Sequence, residues 1–291
     1  MLRSMYAGIS GLKNFQTKLD VIGNNISNVN TYGFKKGRTI FKDLYSQTVA
    51  GASAPSAARG GVNPKQVGLG SQLAAIDTLH TAGSTQFTGN TLDMAIEGDG
   101  FFVVKEGTTN MYTRAGNFYL DSGTPSTTAG TSNPARLVDG DGRFVMGYKA
   151  DANGVIQGAP TTTSNGTLTQ LEIPTDATNM SVGQDGTVNY VQNGVLKIAG
   201  RIAIANFNNP GGLEKVGGNL FLNNVASGNP SIGYSQDLGR GTIKSGSLEM
   251  SNVDLSEEFT EMIVAQRGFQ ANTRIITTSD EILQELVNLK R

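Results

Sequence analysis

The chain has 291 residues, a formal net charge of -1, no cysteine and a single histidine. That balance supplies no global field for polyanions or acidic membrane surfaces, and it removes disulfides, thiolate catalysis and thiolate metal sites. Charged residues make up 16% of the chain and glycines number 38, against roughly 25% charged and about 7% glycine in ordinary globular chains, so a turn-rich, weakly charged protein is expected.

The first thirty residues predict an amphipathic helix. Leu12, Phe15, Leu19, Ile22, Ile26 and Val29 recur at alternating steps of three and four, which is a heptad seam. Asn24, Asn25 and Asn28 sit among them, although asparagine is a mediocre helix former whose amide competes for backbone groups. Amides in such a position are expected to pair across helices and fix register. The segment has no continuous apolar run, so neither a secretory signal peptide nor a membrane span is expected.

Next, Phe34, Lys35, Lys36, Arg38, Phe41 and Lys42 mix basic and aromatic side chains. With net charge near zero, a solvated positive face or a patch meeting acidic residues of a neighbour is favoured over nucleic-acid contact. Residues 43–70 are rich in Gly, Ala, Ser and Pro and nearly aperiodic, which predicts an extended connector with little core of its own.

From there the pattern changes to short β-branched and aromatic runs. "LDMAIEGDGFFVV" and "RLVDGDGRFVMGY" predict strand-turn-strand units. "MSVGQDGTVNYVQNGVLKIAGRIAIANF" predicts successive hairpins, with Asp185-Gly186 and Asn193-Gly194 supplying the positive φ of tight turns. Polar stretches at 121–135 and 149–170 are expected to be long loops. In the last forty residues Leu255, Met262, Phe269, Ile276 and Leu283 recur every seven, Leu286 widens the stripe, and Asp254 with Glu257 has capping-box spacing at a helix start.

The expected fold is therefore α+β: N- and C-terminal helices paired as a coiled-coil-like stalk, with a central all-β domain, antiparallel and hairpin-rich. Residues 1–32 and 254–291 form the discontinuous stalk, 33–70 the connector and 71–253 the β domain. Such helices pair only if the chain leaves and re-enters the β domain at one place. Chemistry is sparse. His80 has neither a second His nor a Cys beside it, so a His-based metal site or a Ser-His-Asp constellation lacks its parts. The Asp139–Gly142 and Glu97–Gly100 runs fail EF-hand spacing and are expected to be turns. No enzyme activity and no cofactor are expected.

These residues carry a resemblance. "GISGLKNFQTKLDVIGNNISNVNTYGFKKGRTIFKDL" resembles the N-terminal signature of bacterial flagellar axial proteins, the rod and hook family, and "SNVDLSEEFTEMIVAQRGFQANTRIITTSDEILQELVNL" is similar to the family's matching end. "LDMAIEGDGFFVV", "TRAGNF" and "SNVDL" fall between or beside them in the expected order. Within the family the N-terminal wording is more similar to the hook branch, the flexible universal joint between rod and filament. The chain lacks the large outer domain of many hook proteins and is close in length to the distal rod branch, which is the alternative. A secreted β-rich adhesin is the reading outside the family.

The resemblance implies a structural subunit that polymerises with itself and meets the distal rod protein, the hook cap, the hook-filament junction and the type III export apparatus. It implies export without a cleaved signal peptide to the extracellular hook and basal body, with no nucleic acid and no membrane insertion. It also implies that both helical seams, the three asparagines and Phe34 lie at self-assembly contacts.

Overall fold

A computed structural model describes residues 2–55, 59–122, 134–151, 154–158, 160 and 166–289. Two helices, α1 (Leu2–Ser27) and α2 (Leu255–Asn288), stand at the two ends, and antiparallel strands fill the chain between them. Two compact units result: Met1–Ser27, Lys36–Leu79 and Val253–Arg291 form one, and Asn28–Lys35 with His80–Asn252 form the other. The expected partition differs here, because residues 36–79 belong with the helices.

In the helical unit α1 and α2 run antiparallel, with Gly8 beside Ile276, Gly11 beside Asn272 and Phe15 beside Gly268. Asp254 caps α2 by accepting from the Ser256 and Glu257 amides at 2.8 and 3.4 Å, as its spacing predicts. Helix α1 stops three residues short of its expected end at residue 30. Asn28 and Val29 lie in a turn in which the Asn28 carbonyl accepts from Thr31 N at 3.1 Å, a competition that Asn-rich sequence invites.

The expected connector is a paired ribbon. Strand Gly37–Asp43 pairs antiparallel with Ser71–Thr78, with a bulge between Ile40 and Phe41, and Ser46–Ala50 continues the ribbon against Lys65–Gly68. Its backbone groups satisfy each other, so it needs no hydrophobic periodicity to be a strand pair. That is why the sequence pattern is silent on it. Tyr45, Val49 and Val67 remain exposed along it.

In the β unit the expected meander is present: Thr178–Val182, Thr187–Gln192 and Val195–Ile202 are antiparallel neighbours, and Asn193 and Gly194 both have positive φ at the tight turn. The path continues through Phe144–Lys149 and Phe101–Glu106 to Thr109–Thr113. Strand Phe101–Glu106 is buried on both faces, which explains its uninterrupted apolar run. Phe102 and Val104 join a core with Met94, Phe118, Leu137 and Ile202, while Phe101 and Val103 join another with Tyr112, Met146, Tyr148 and Phe207. The run "LDMAIEGDGFFVV" gives two strands that turn but do not pair with each other, since Met94–Glu97 pairs with Thr242–Ser245. Much of both expected polar loops lies outside the described residues. The part of the second that is described holds an Ala150–Ile156 bridge.

Candidate functional site

Two places carry side-chain organisation beyond core packing: the helix pair with its ribbon, and a buried ionic hub in the β unit.

Helix α1 has two working faces. Toward α2 it presents small and apolar positions, and a Cβ on Gly268 would sit 2.5 Å from the Phe15 ring, so only glycine leaves that ring its place. The α2 residues that meet α1 include Gly268, Asn272 and Ile276, and Ala265 of α2 is fully buried. Small residues set the close approach, and a search for large apolar residues misses them.

Toward the ribbon α1 presents polar groups at helical spacing. Asn14 Nδ2 donates to Ser71 Oγ at 2.8 Å. Asn25 is 2% exposed and pairs with Gly37 as a strand would: Gly37 N donates to its Oδ1 and its Nδ2 donates to Gly37 O, both at 2.9 Å. The same Nδ2 reaches Glu258 Oε2 on α2 at 3.1 Å. One amide thus joins two helices and the first strand of the ribbon. Lys18–Glu261 at 2.6 Å and Lys36–Glu257 at 2.7 Å surround it.

The other expected interface residues divide by location. Ile22 is buried, and Leu12, Phe15, Leu19, Ile26, Met262, Ile276 and Leu283 are partly buried. Leu255, Phe269 and Leu286 are exposed in the single chain. Around them Tyr6, Ile9, Phe259, Ile263 and Val264 are each at least half exposed, as are Val287 and Leu289 at the end of α2. Asn24 is exposed, and Asn28 accepts from the Thr31 hydroxyl at 3.2 Å. Phe34 is buried in the chain's own β unit, with Lys215 Nζ 5.0 Å from its ring centroid.

The hub centres on Glu249, 1% exposed. Its Oε1 accepts from Lys35 Nζ at 2.5 Å and from Gly83 N at 3.0 Å, its Oε2 from Arg114 at 3.3 Å, and its carbonyl from Gly33 N at 2.8 Å. Lys35 also donates to Thr81 O at 2.8 Å, and Arg114 to Ile96 O and Gly98 O at 3.3 and 2.8 Å. Gly33 is held at φ +68°, and a Cβ there would sit 2.5 Å from Ala115 N. Lys35 is therefore not part of a solvated positive face. Its acidic partner lies 214 residues away in the same chain, beyond the reach of any local pattern.

Burial pulls the Lys35 ammonium and the Arg114 guanidinium below their ordinary pKa values, and Glu249 opposes both shifts. His80 packs edge-on to Phe101 and Phe221 at 5.5 and 5.3 Å. Burial first, then the Lys35, Arg114 and Lys215 charges, lower its pKa to about 4.

At Asp139–Gly142 the backbone forms a turn, and Asp139 and Asp141 both pair with Arg143. Among the described residues no group of three or more His, Cys, Asp or Glu is placed to hold a metal ion, and no helix is long and apolar enough to cross a membrane.

Terminal helices with exposed apolar flanks, bracketing an antiparallel β unit tied shut by an ionic hub, define a helix-bracketed β protein. Comparison with known families gives this architecture its context. "Flagella basal body rod protein" matches residues 5–35, "Flagellar hook protein FlgE/F/G D1 domain" residues 95–190 and "Flagellar basal body rod FlgEFG protein C-terminal" residues 244–289. The flagellar basal-body rod protein FlgG of Bacillus subtilis is 55% identical over 293 positions, covering 100% of both chains. The flagellar hook protein FlgE of Borreliella burgdorferi is 34% identical over 443 positions, again covering 100% of both, and the FlgG rod protein of the same organism is 36% identical over 294. The chain belongs to the FlgE/F/G family of flagellar hook and rod proteins, and is a structural component of the bacterial flagellum. The B. subtilis rod protein's higher identity backs the rod branch better than the hook branch expected from the N-terminal wording.

Two predictions follow from this geometry. Asn25→Ala removes three hydrogen bonds, two of them to Gly37, and lowers chain stability by about 2 kcal/mol in urea unfolding followed at the far-UV helix signal. Asn25→Asp costs more, since its carboxylate faces Glu258. Wild-type stability with both variants would show the knot to be dispensable. For His80, the unfolded imidazole binds its proton near pH 6.5 and the folded one near 4. The unfolded chain thus binds more protons between these values, and stability of the β unit is full above pH 6.5 and declines as pH falls toward about 4. Urea midpoints of wild type and His80→Gln, measured across that window, should converge or cross as pH falls; parallel curves would contradict the linkage.

Proposed function

We propose that the chain is a subunit of the flagellar rod, of the distal rod type, polymerising with itself into a stiff shaft. The supporting observation is the full-length match to the B. subtilis rod protein, which needs 293 positions to align 291 residues. The hook relative needs 443 positions to span the same residues, so its alignment opens long gaps in this chain.

Physical features support assembly. The apolar residues left exposed on both helices form more surface than a solitary helix pair can use, and surface of this kind marks contact sites. In this reading the terminal helices extend into coiled-coil-like contacts with neighbouring copies, through Leu255, Phe269, Leu286 and the exposed ends of the seams. Asn24 and Asn28 contribute amides there. The ribbon at 36–79, marginal as an isolated strand pair, is steadied by adjacent copies. The protein's role is mechanical rather than enzymatic. Its partners are itself and the adjoining axial proteins, and it reaches the flagellum through the type III export apparatus without a cleaved signal peptide.

Electron microscopy of basal bodies from the source bacterium lacking this gene tests the assignment. Rods that stop short and carry no hook are the expected result. Complete rods that lack only hooks would overturn it in favour of the hook subunit.

A further inference from the structure

The β unit carries a strained turn that its own core does not use. Between Tyr234 and Arg240 the backbone enters the left-handed region at Gln236 (φ +69°), Leu238 (φ +49°) and Gly239 (φ +78°). Glycine accepts that conformation readily, but a leucine Cβ crowds the following carbonyl, so a bulky residue there must be held by its surroundings. Arg240, itself buried, donates to Asp237 O from its backbone amide and its guanidinium at 3.0 and 3.2 Å, and to Ser231 Oγ at 2.9 Å. Ser235 Oγ donates to Gln184 O at 2.9 Å, and Gln236 N to Gly241 O at 3.3 Å. The side chain so displayed gains little within its own chain, since Leu238 is 59% exposed. A lone surface leucine needs no explanation, but a strained and anchored one does.

A recess of matching chemistry lies elsewhere on the same unit. Pro134, Pro174, Tyr190 and Ile198 form its apolar walls, and its volume is about 220 Å³. That is below the roughly 300 Å³ at which small-molecule clefts begin, and it suits one or two side chains. At the rim Glu172 serves both Lys149 at 2.6 Å and Arg136 at 3.6 Å, while Asp151 spends its carboxylate on its own turn, at Val155 N and Gln157. One carboxylate thus faces two cations. Beside Leu238, Asp237 is exposed and carries the sign that the rim lacks. The turn is tied to Gln184, ahead of strand Thr187–Gln192, whereas the recess lies further along that strand at Tyr190 and on its neighbour at Ile198.

We propose that Leu238 of one copy seats in this recess of the next, with Asp237 facing Lys149 at the rim. The proposal rests on the reading that the chain polymerises with itself, and it holds for the rod and the hook branch alike. Knob and recess are different patches of one surface, so the contact is heterologous: each docked copy still offers an unused knob or recess, and the contact propagates instead of closing as a two-fold pair. It joins β unit to β unit, apart from the exposed faces of α1 and α2.

Disulfide trapping in isolated basal bodies tests the contact, because the wild-type chain has no cysteine to compete. Leu238→Cys and Ile198→Cys in one chain should give, on mild oxidation, a ladder of dimers, trimers and larger species on non-reducing gels, while each single substitution stays monomeric. Monomer alone from the double variant, in rods seen intact by electron microscopy, would overturn the contact and leave self-assembly standing. Absence of any polymer of the wild-type chain would overturn the proposed function, and the contact with it. Leu238→Asn decides the matter if the double variant does not assemble. Asparagine is easier to hold at positive φ, so the isolated variant should unfold in urea at or above the wild-type midpoint. Its rods should fail to form or dissociate on heating about 10-fold faster or more, the effect of losing one buried leucine. A wild-type dissociation rate would overturn the contact, and so would a lowered urea midpoint, which would show Leu238 to serve its own chain.

Discussion

One carboxylate holds two cations away from water, and the chain path around it depends on that arrangement. Glu249 bonds the backbone of Gly33 and the side chain of Lys35, so the chain enters and leaves the β unit at adjacent points. Burying three charged groups is expensive, and bonds from Lys35 to Thr81 O and from Arg114 to Ile96 O and Gly98 O help their mutual attraction offset the desolvation, although Arg114 Nε finds no partner. Segments distant in sequence, around residues 33–35, 81–83, 96–98, 114 and 249, are brought to one point by this requirement.

The helical unit solves a different problem with different residues. Its helices approach closely through Gly8, Gly11, Ala265 and Gly268, which leaves little large apolar surface between them. Asn14 and Asn25 use the other face of α1 to hold a ribbon that has no core. The apolar residues that a longer-lived helix pair would bury stay at the surface of the single chain. The assembly proposed above would cover that surface with neighbouring copies.

Much of the fold is legible in the sequence where a local rule applies. The hairpins at Asp185-Gly186 and Asn193-Gly194, the Asp254 cap and both helices are set by turn chemistry, capping and 3.6-residue periodicity, all readable within a few residues. The ribbon is not, because its pairing is backbone to backbone and most of its side chains are exposed. Lys35 is misread as a surface charge because its neighbours are Lys36 and Arg38, while Glu249 lies far along the chain. The asparagines are legible as amides needing partners, but the partner of Asn25 is a glycine backbone in the ribbon as well as a group on the second helix. Hook and rod proteins share the helical signatures, so the N-terminal wording separates them less well than alignment over the whole length.

The dependence of the β unit on its ionic hub is tested most directly by a double-mutant cycle on Lys35 and Glu249, using Lys35→Met, Glu249→Gln and the pair, with stability read from urea unfolding. Because Glu249→Gln strands Lys35 in the interior while Lys35→Met leaves Glu249 with Arg114 alone, the account predicts a double mutant less destabilised than the sum of the singles by about 2 kcal/mol or more. Effects that add to within about 0.5 kcal/mol would show the two side chains to be independent and would contradict it.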